Sequence, residues 1–236
     1  MGDRPYIVLS CSMSLDGYLD SASEGRLLLS NDADFDRVDE VRSGCDAILV
    51  GATTVRKDNP ALLIRSEQRR RRRIAEGLPA APVKVTVTAR GELNPRARFF
   101  TLGDSETLVY CPTSAARTTS DRLGAVTTVV DGGPRVRMRD LSEDLYARGV
   151  RRLMVEGGGT VHTQFLTEGV ADELHLVVAP FFVGDSRARR FVGDGRFPWG
   201  AEHRATLVEV RPIGDVALLR YALSDRFHRK SFPAEA

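Results

Sequence analysis

Leu153-Met-Val-Glu-Gly-Gly-Gly-Thr-Val-His162 joins an apolar run, a glutamate, three glycines and a helical-looking segment in direct succession. No other stretch limits the fold as much. Arg152 to Val155 reads as a buried strand, and Val161 to Glu168 as a helix closed by Gly169. Between them the chain has to turn sharply, which the glycines allow. The first turn of such a helix offers backbone N–H groups with no partner one turn back, at the positive end of the helix dipole. Glycines let an anion approach that backbone without meeting a Cβ, so the stretch points to a phosphate-bearing nucleotide. It lacks the spacing of Gly-x-Gly-x-x-Gly and of Gly-x-x-x-x-Gly-Lys-Ser/Thr, so neither common phosphate-binding fingerprint applies. Glu156, closing a buried strand, is a residue type seldom buried without a task.

The remaining pattern alternates strands and helices. Strands are predicted at Tyr6 to Met13, Asp46 to Gly51, Val83 to Val87, Thr107 to Cys111, Val126 to Val130 and Glu173 to Val183. Helices are predicted at Asp32 to Ser43, with Gly44 as C-cap, at Ser114 to Leu123, and at Asp140 to Arg148, with Asp140 as N-cap. Thr53 to Lys57 reads as a helical turn ended by Asn59-Pro60. Ala205 to Val210 and Val216 to Leu223 read as a closing hairpin. Such alternation implies an α/β fold, a mixed but mostly parallel sheet flanked by helices, with an antiparallel hairpin at its C-terminal edge. Phe181, Phe182 and Trp199 read as cover for the core.

One domain over residues 1–225 is expected, followed by a mobile tail over 226–236. A chain of 236 residues with 42% hydrophobic content can build a full core unaided. Its formal net charge of +2 gives no argument for a nucleic-acid or membrane partner. No apolar run reaches the ~18 residues of a spanning helix, and Met-Gly-Asp-Arg-Pro does not open a signal peptide. Cys11, Cys45 and Cys111 form no paired motif and suit free thiols in the cytoplasm. His162, His175, His203 and His228 lack ligand spacing, so no metal is expected. Five adjacent arginines, Arg69 to Arg73, would point around every side of a helix, and read as an exposed loop or helix end.

Gly51 ends a buried strand, where ligands of open α/β sheets collect. Thr53, Thr54, Asp58 and Arg65 follow closely. Four motifs now stand in order: Ser12-Met-Ser-Leu-Asp-Gly17, Asp46-Ala-Ile-Leu-Val-Gly51 with Thr54-Val55, Asp58-Asn-Pro-Ala-Leu62 to Arg65, and Glu156-Gly-Gly-Gly159. Together, from about Tyr6 to about Leu223, the chain resembles the reductase domain of riboflavin biosynthesis, the RibD C-terminal family, which has a dihydrofolate-reductase-like fold.

The resemblance implies NADPH as hydride donor, a phosphoribosylamino-pyrimidine, 5-amino-6-(5-phosphoribosylamino)uracil, as substrate and a homodimer. It implies that Gly51, Thr54 and Asp58 line the nicotinamide end and that Gly158, Gly159, Thr160 and Val161 hold the pyrophosphate. Thr88 and Ala89 match positions near the adenosine. Arg90 follows them and has the charge to meet a 2′-phosphate. Arg42, Leu62 and Arg65 match substrate positions, the two arginines suiting a ribose 5-phosphate. Glu156 matches a substrate contact able to read the N–H edge of a pyrimidine. Asp58 is the nearest candidate proton donor.

The chain departs from the family at Ser10, where a lysine is usual, at Leu28, where a tryptophan is frequent, and at Asn59, where an aspartate is common. These positions adjoin the substrate side. A paralogous reductase acting on a pterin, a folate or a specialised metabolite is therefore the main alternative. It would need a carboxylate against its ring, for which Asp34, Asp36, Asp39 and Glu40 are candidates. A non-catalytic nucleotide-binding module is a third reading, and would be expected to carry a degraded glycine turn.

Overall fold

Apolar residues on both sides of a strand require cover on both faces, and the central strands of this protein have it. The computed structural model describes residues 3–21 and 27–227. Strand β2 (Ala47–Gly51) is buried at all five positions. It lies between β3 (Val83–Val87) and β6 (Arg152–Gly157), parallel to both. With β1 (Tyr6–Ser14), β4 (Thr107–Cys111), β5 (Thr128–Asp131), β7 (Glu173–Ala179), β8 (Thr206–Ile213) and β9 (Val216–Ala222) they form one sheet, in the order β5-β4-β3-β2-β6-β1-β7-β9-β8. The seven strands from β5 to β7 run parallel, and β9 and β8 close the edge as an antiparallel hairpin. The expected architecture is thus the observed one.

The pleat sends alternate residues to opposite faces. Leu9, Leu49, Leu153 and Val155 meet Leu141 and Leu145 of α6 (Met138–Ala147) and Phe165 of α7 (Gly159–Thr167). Ile48 and Val50 point the other way, packing with Val55 of α2 (Ala52–Asp58), Phe99 of α4 (Arg98–Thr101) and Leu123 of α5 (Thr113–Leu123). On that side Met154 also packs against Val41 of α1 (Asp32–Ser43).

Several boundaries move for identifiable reasons. β7 stops at Ala179, not Val183. Pro180 has no N–H for the ladder, and Phe181 N turns back to the Ala179 carbonyl. Asp16 then captures the N–H groups of Val183 and Gly184, which gives the Ser-Leu-Asp-Gly motif a structural role. Phe181 packs beside Val177, whereas Phe182 is 72% exposed and covers nothing. Trp199 does pack against the main core. Helix α6 begins at Met138, two residues before the expected cap, because Glu168 accepts from both Met138 N and Arg139 N. An acid from far along the chain does the capping, and Asp140 pairs with Arg137 instead.

The arginine run corrects the sequence reading most. Residues Glu67–Ala75 form helix α3, docked on α1. Arg69 meets Asp36, Asp39 and Glu40, and Arg72 meets Glu40. Arg73 is 2% exposed, its guanidinium bonded to the carbonyls of Ser43, Cys45 and Pro79. Only a helix lying along an acidic neighbour can employ so many arginines at once.

Of the expected tail, residues 228–236 lie outside the described residues. Arg226 is held by the Pro5 carbonyl and by Asp172. Among the described residues no helix is long and apolar enough to cross a membrane, and no group of three or more His, Cys, Asp or Glu is placed to hold a metal.

Candidate active site

The parallel strands β2 and β6 end side by side, with Val50 opposite Gly157. This brings Gly51 against the glycine turn. A Cβ on Gly51 would lie 3.0 Å from Val161 Cγ2 and 3.5 Å from Gly158 N. On Gly158 it would lie 3.6 Å from Thr54 Oγ1, at the start of α2. Gly51, Thr54, Gly158 and Val161, far apart in sequence, therefore line one place. The Gly157–Gly158 peptide is cis. Gly158 caps α7 with no side-chain bond, and its carbonyl accepts from Val161 N and His162 N. The leading N–H groups of α7, at Gly159 and Thr160, have no carbonyl a turn behind them within the helix. Gly159 is required for a separate reason: a Cβ there would lie 2.5 Å from the Arg190 carbonyl oxygen.

The outer parts of the expected cofactor set are more scattered. Thr88 follows β3, next to β2, but is 3% exposed, and its hydroxyl accepts from Gly91 N. Ala89 and Arg90 are exposed at the same sheet end. Asp58 is exposed at the last residue of α2, before Asn59, whose left-handed backbone (φ 43°) ends the helix.

Of the expected substrate set, Arg42 meets Glu156, the residue before the turn. Arg42, in the last turn of α1, donates from Nε to Oε1 and from Nη2 to Oε2, both at 2.6 Å. The side chains are only 15% and 13% exposed. The third guanidinium nitrogen donates to the Leu63 carbonyl at 3.3 Å. Burial alone would lower the Arg42 pKa, yet the Glu156 carboxylate raises it, so the cation is firmly held. Arg65 differs. Its guanidinium lies over the Phe35 ring at 5.2 Å, with no carboxylate partner among the described residues. Leu62 (φ 51°) is 3% exposed and packs with Val50, Val55 and Phe99, so its side chain belongs to the core rather than to the cleft wall.

Asp39, which the sequence offered as a ring-binding carboxylate, is a clamp. It accepts from Arg65 N at 2.5 Å and Ser66 N at 3.1 Å, and so fixes the loop that carries Arg65. The other three candidate acids are also engaged: Asp34 by Arg37, Asp36 by Arg69, and Glu40 by Arg69 and Arg72. The clamp was hidden in a segment with too many acids for any one to stand out. Its signal was the match between the acidic stretch at 32–40 and the basic stretch at 69–73. Ser10 sits at 6% exposure beside His175 in the register of β1 and β7. His175 in turn bonds Glu173, which Arg220 and Tyr6 also contact. That buried polar layer was not foreseen.

The chain is similar to known proteins over nearly its whole length. The model of the RibD C-terminal domain family matches residues 5–219. A protein of Archaeoglobus fulgidus named 2,5-diamino-6-ribosylamino-4(3H)-pyrimidinone 5′-phosphate reductase is 33% identical over 227 residues, 96% of this chain and 100% of the relative. A protein of the same name from Methanothermobacter thermautotrophicus is 32% identical, covering 93% of this chain and 99% of the relative. Among solved structures, RibD of Acinetobacter baumannii superposes with a TM-score of 0.74 at 25% identity, over 93% of this chain. This chain spans only 58% of that larger one.

Proposed function

This chain belongs to the RibD C-terminal domain family, and we propose that it is the NADPH-dependent reductase that converts a phosphoribosylamino-pyrimidine to its ribitylamino form in riboflavin biosynthesis. The observation that carries the reading is the junction at Glu156-Gly157. The chain puts the Arg42–Glu156 pair two residues before Gly158, which lines a cradle with Gly51, Thr54 and Val161. A substrate held by the first lies against a cofactor held by the second.

The cradle fits a dinucleotide. A side chain at Gly51 would crowd Val161 and the turn, and the open N–H groups heading α7 suit a pyrophosphate. In this reading Gly158, Gly159, Thr160 and Val161 hold the pyrophosphate, while Gly51, Thr54 and Asp58 flank the nicotinamide. Thr88, Ala89 and Arg90 lie toward the adenosine. NADPH supplies a hydride when bound.

The chain's own contribution is alignment and exclusion of water. The ribosylamine opens to an imine as its amine proton passes to the ring oxygen; hydride at C1′ and a proton at nitrogen complete the ribitylamine. Glu156, fixed by Arg42, faces the ring N–H groups. Arg65 takes the ribose phosphate, since the nitrogens of Arg42 are already engaged. Leu62 supports this loop from the core side. Asp58 is the nearest residue for the proton.

The full-length relatives are named for the ring that keeps its 2-amino group. The family resemblance implied 5-amino-6-(5-phosphoribosylamino)uracil, its deaminated counterpart. The folate alternative is weakened because each of its candidate carboxylates, Asp34, Asp36, Asp39 and Glu40, is spent on an arginine or a backbone clamp. We further propose a single reductase domain over residues 1–225, acting in the cytoplasm as a homodimer.

The test is NADPH oxidation with each of the two pyrimidines and with dihydrofolate. Turnover of either pyrimidine and not of dihydrofolate supports the reading, and the faster pyrimidine identifies the ring. Turnover of dihydrofolate alone overturns it.

A further inference from the structure

His162 is the fourth residue of α7 and is fully buried. Side chains on a helix lean toward its N-terminus, so the imidazole reaches back beneath the glycine turn. A Cβ on Gly157 would lie 3.5 Å from His162 Nε2. The ring of Phe191 packs on it, centroids 5.5 Å apart. Neither ring nitrogen has a hydrogen-bond partner among the described residues.

A buried polar group without a partner is an exception that calls for a cause, because its desolvation is uncompensated. Packing does not supply that cause. A phenylalanine or leucine would fill the space beside Phe191 with nothing left unpaired. Nor does charge: burial pushes the His162 pKa down to about 4, so the ring is neutral at pH 7, with one N–H to donate and one lone pair to accept. The backbone beside the ring is that of Gly157, where an added Cβ would lie 3.5 Å from Nε2 and 4.0 Å from Cδ2. Gly159 fits closely against the Arg190 carbonyl, whereas a Cβ on Gly158 would meet nothing nearer than Thr54 Oγ1 at 3.6 Å.

We propose that His162 is a positioning residue of the cofactor turn, whose imidazole gains a hydrogen bond from the Gly157-Gly158 backbone when a dinucleotide occupies the turn. The turn then has two arrangements. One leaves the imidazole unpaired, as seen here; the other satisfies it and is selected by the ligand, which gains the difference as affinity. This rests on the NADPH reading above.

The experiment titrates NADPH into wild type, His162→Phe and His162→Asn by calorimetry, with a thermal melt of each. His162→Phe should melt at or above the wild-type temperature, since an unpaired polar group is gone, yet bind NADPH about 3- to 10-fold more weakly. His162→Asn, which keeps a donor and an acceptor, should recover part of that loss. In ¹⁵N-histidine spectra of the wild type, NADPH should shift the ring nitrogens of His162, assigned from the signals missing in His162→Asn. Unchanged affinity in His162→Phe overturns the proposal, whatever its melting temperature. Where that variant does not fold, the spectra decide, and unshifted ring nitrogens at saturating NADPH overturn it equally. A wild type that binds no NADPH is a different failure: the functional reading falls, and the proposal with it.

Discussion

Cutting the Arg42–Glu156 pair from one side should damage the fold, whereas removing both partners should not. Glu156→Ala leaves the Arg42 guanidinium at 15% exposure, with the Leu63 carbonyl as its remaining acceptor. Breaking a buried pair in this way costs about 3–5 kcal/mol, because the surviving charge is still desolvated. At about 2–4 °C per kcal/mol for a chain of this size, the melting temperature should fall by roughly 6–20 °C. Arg42→Met with Glu156→Leu removes both desolvation costs and keeps most of the volume. That double variant should melt within about 1 kcal/mol of wild type, or above it. Thermal and urea melts of wild type, Arg42→Met, Glu156→Leu and the double variant give the coupling, which should be at least about 2 kcal/mol. A Glu156→Ala protein melting within about 2 °C of wild type would refute the reasoning, since it would mean that water already screens the pair. Turnover separates structure from function. The stable double variant should lose pyrimidine reduction; if it keeps the wild-type kcat/KM, the pair is only a brace.

Arg65→Ala should raise the substrate KM far more than the NADPH Kd, because Arg65 is the arginine of the site left open to a phosphate; equal losses in both would remove it from that role. Gly159→Ala drives a Cβ to 2.5 Å from the Arg190 carbonyl. It should cost about 1–3 kcal/mol and weaken NADPH binding, while Gly200→Ala, with nothing within 4 Å, should change neither in the same melts and titrations. Glu173 shows a pH dependence of definite sign. Burial would raise its pKa from 4.5, but His175 and Arg220 outweigh burial and hold it at about 2. Its contribution is present above about pH 4.5 and is lost as pH falls toward 2. Melting curves from pH 6 to pH 2 should therefore show wild type losing its advantage over Glu173→Gln across that window. A gap that stays constant with pH would contradict the assignment.

The parts whose physics is local are legible in the chain alone. The apolar run before Glu156 makes a strand that must be buried, the glycines let the chain turn sharply, and the alternation of elements makes a parallel sheet. The motifs also singled out Gly51 and Gly158, which the fold brings together. What the tertiary structure decided was how charges are shared. Arg42 and Glu156 were read as two separate ligand contacts, yet they face each other across 114 positions of chain and bind each other first. Arg69 to Arg73 read as a solvated run until α1 was seen to supply the acids that make α3 a docked helix. Asp39 and Glu168 act on backbone N–H groups about thirty residues away. A charged side chain reports neither its partner nor its burial in its own neighbourhood of sequence. Its energy depends on distance and desolvation, and only the folded chain sets those.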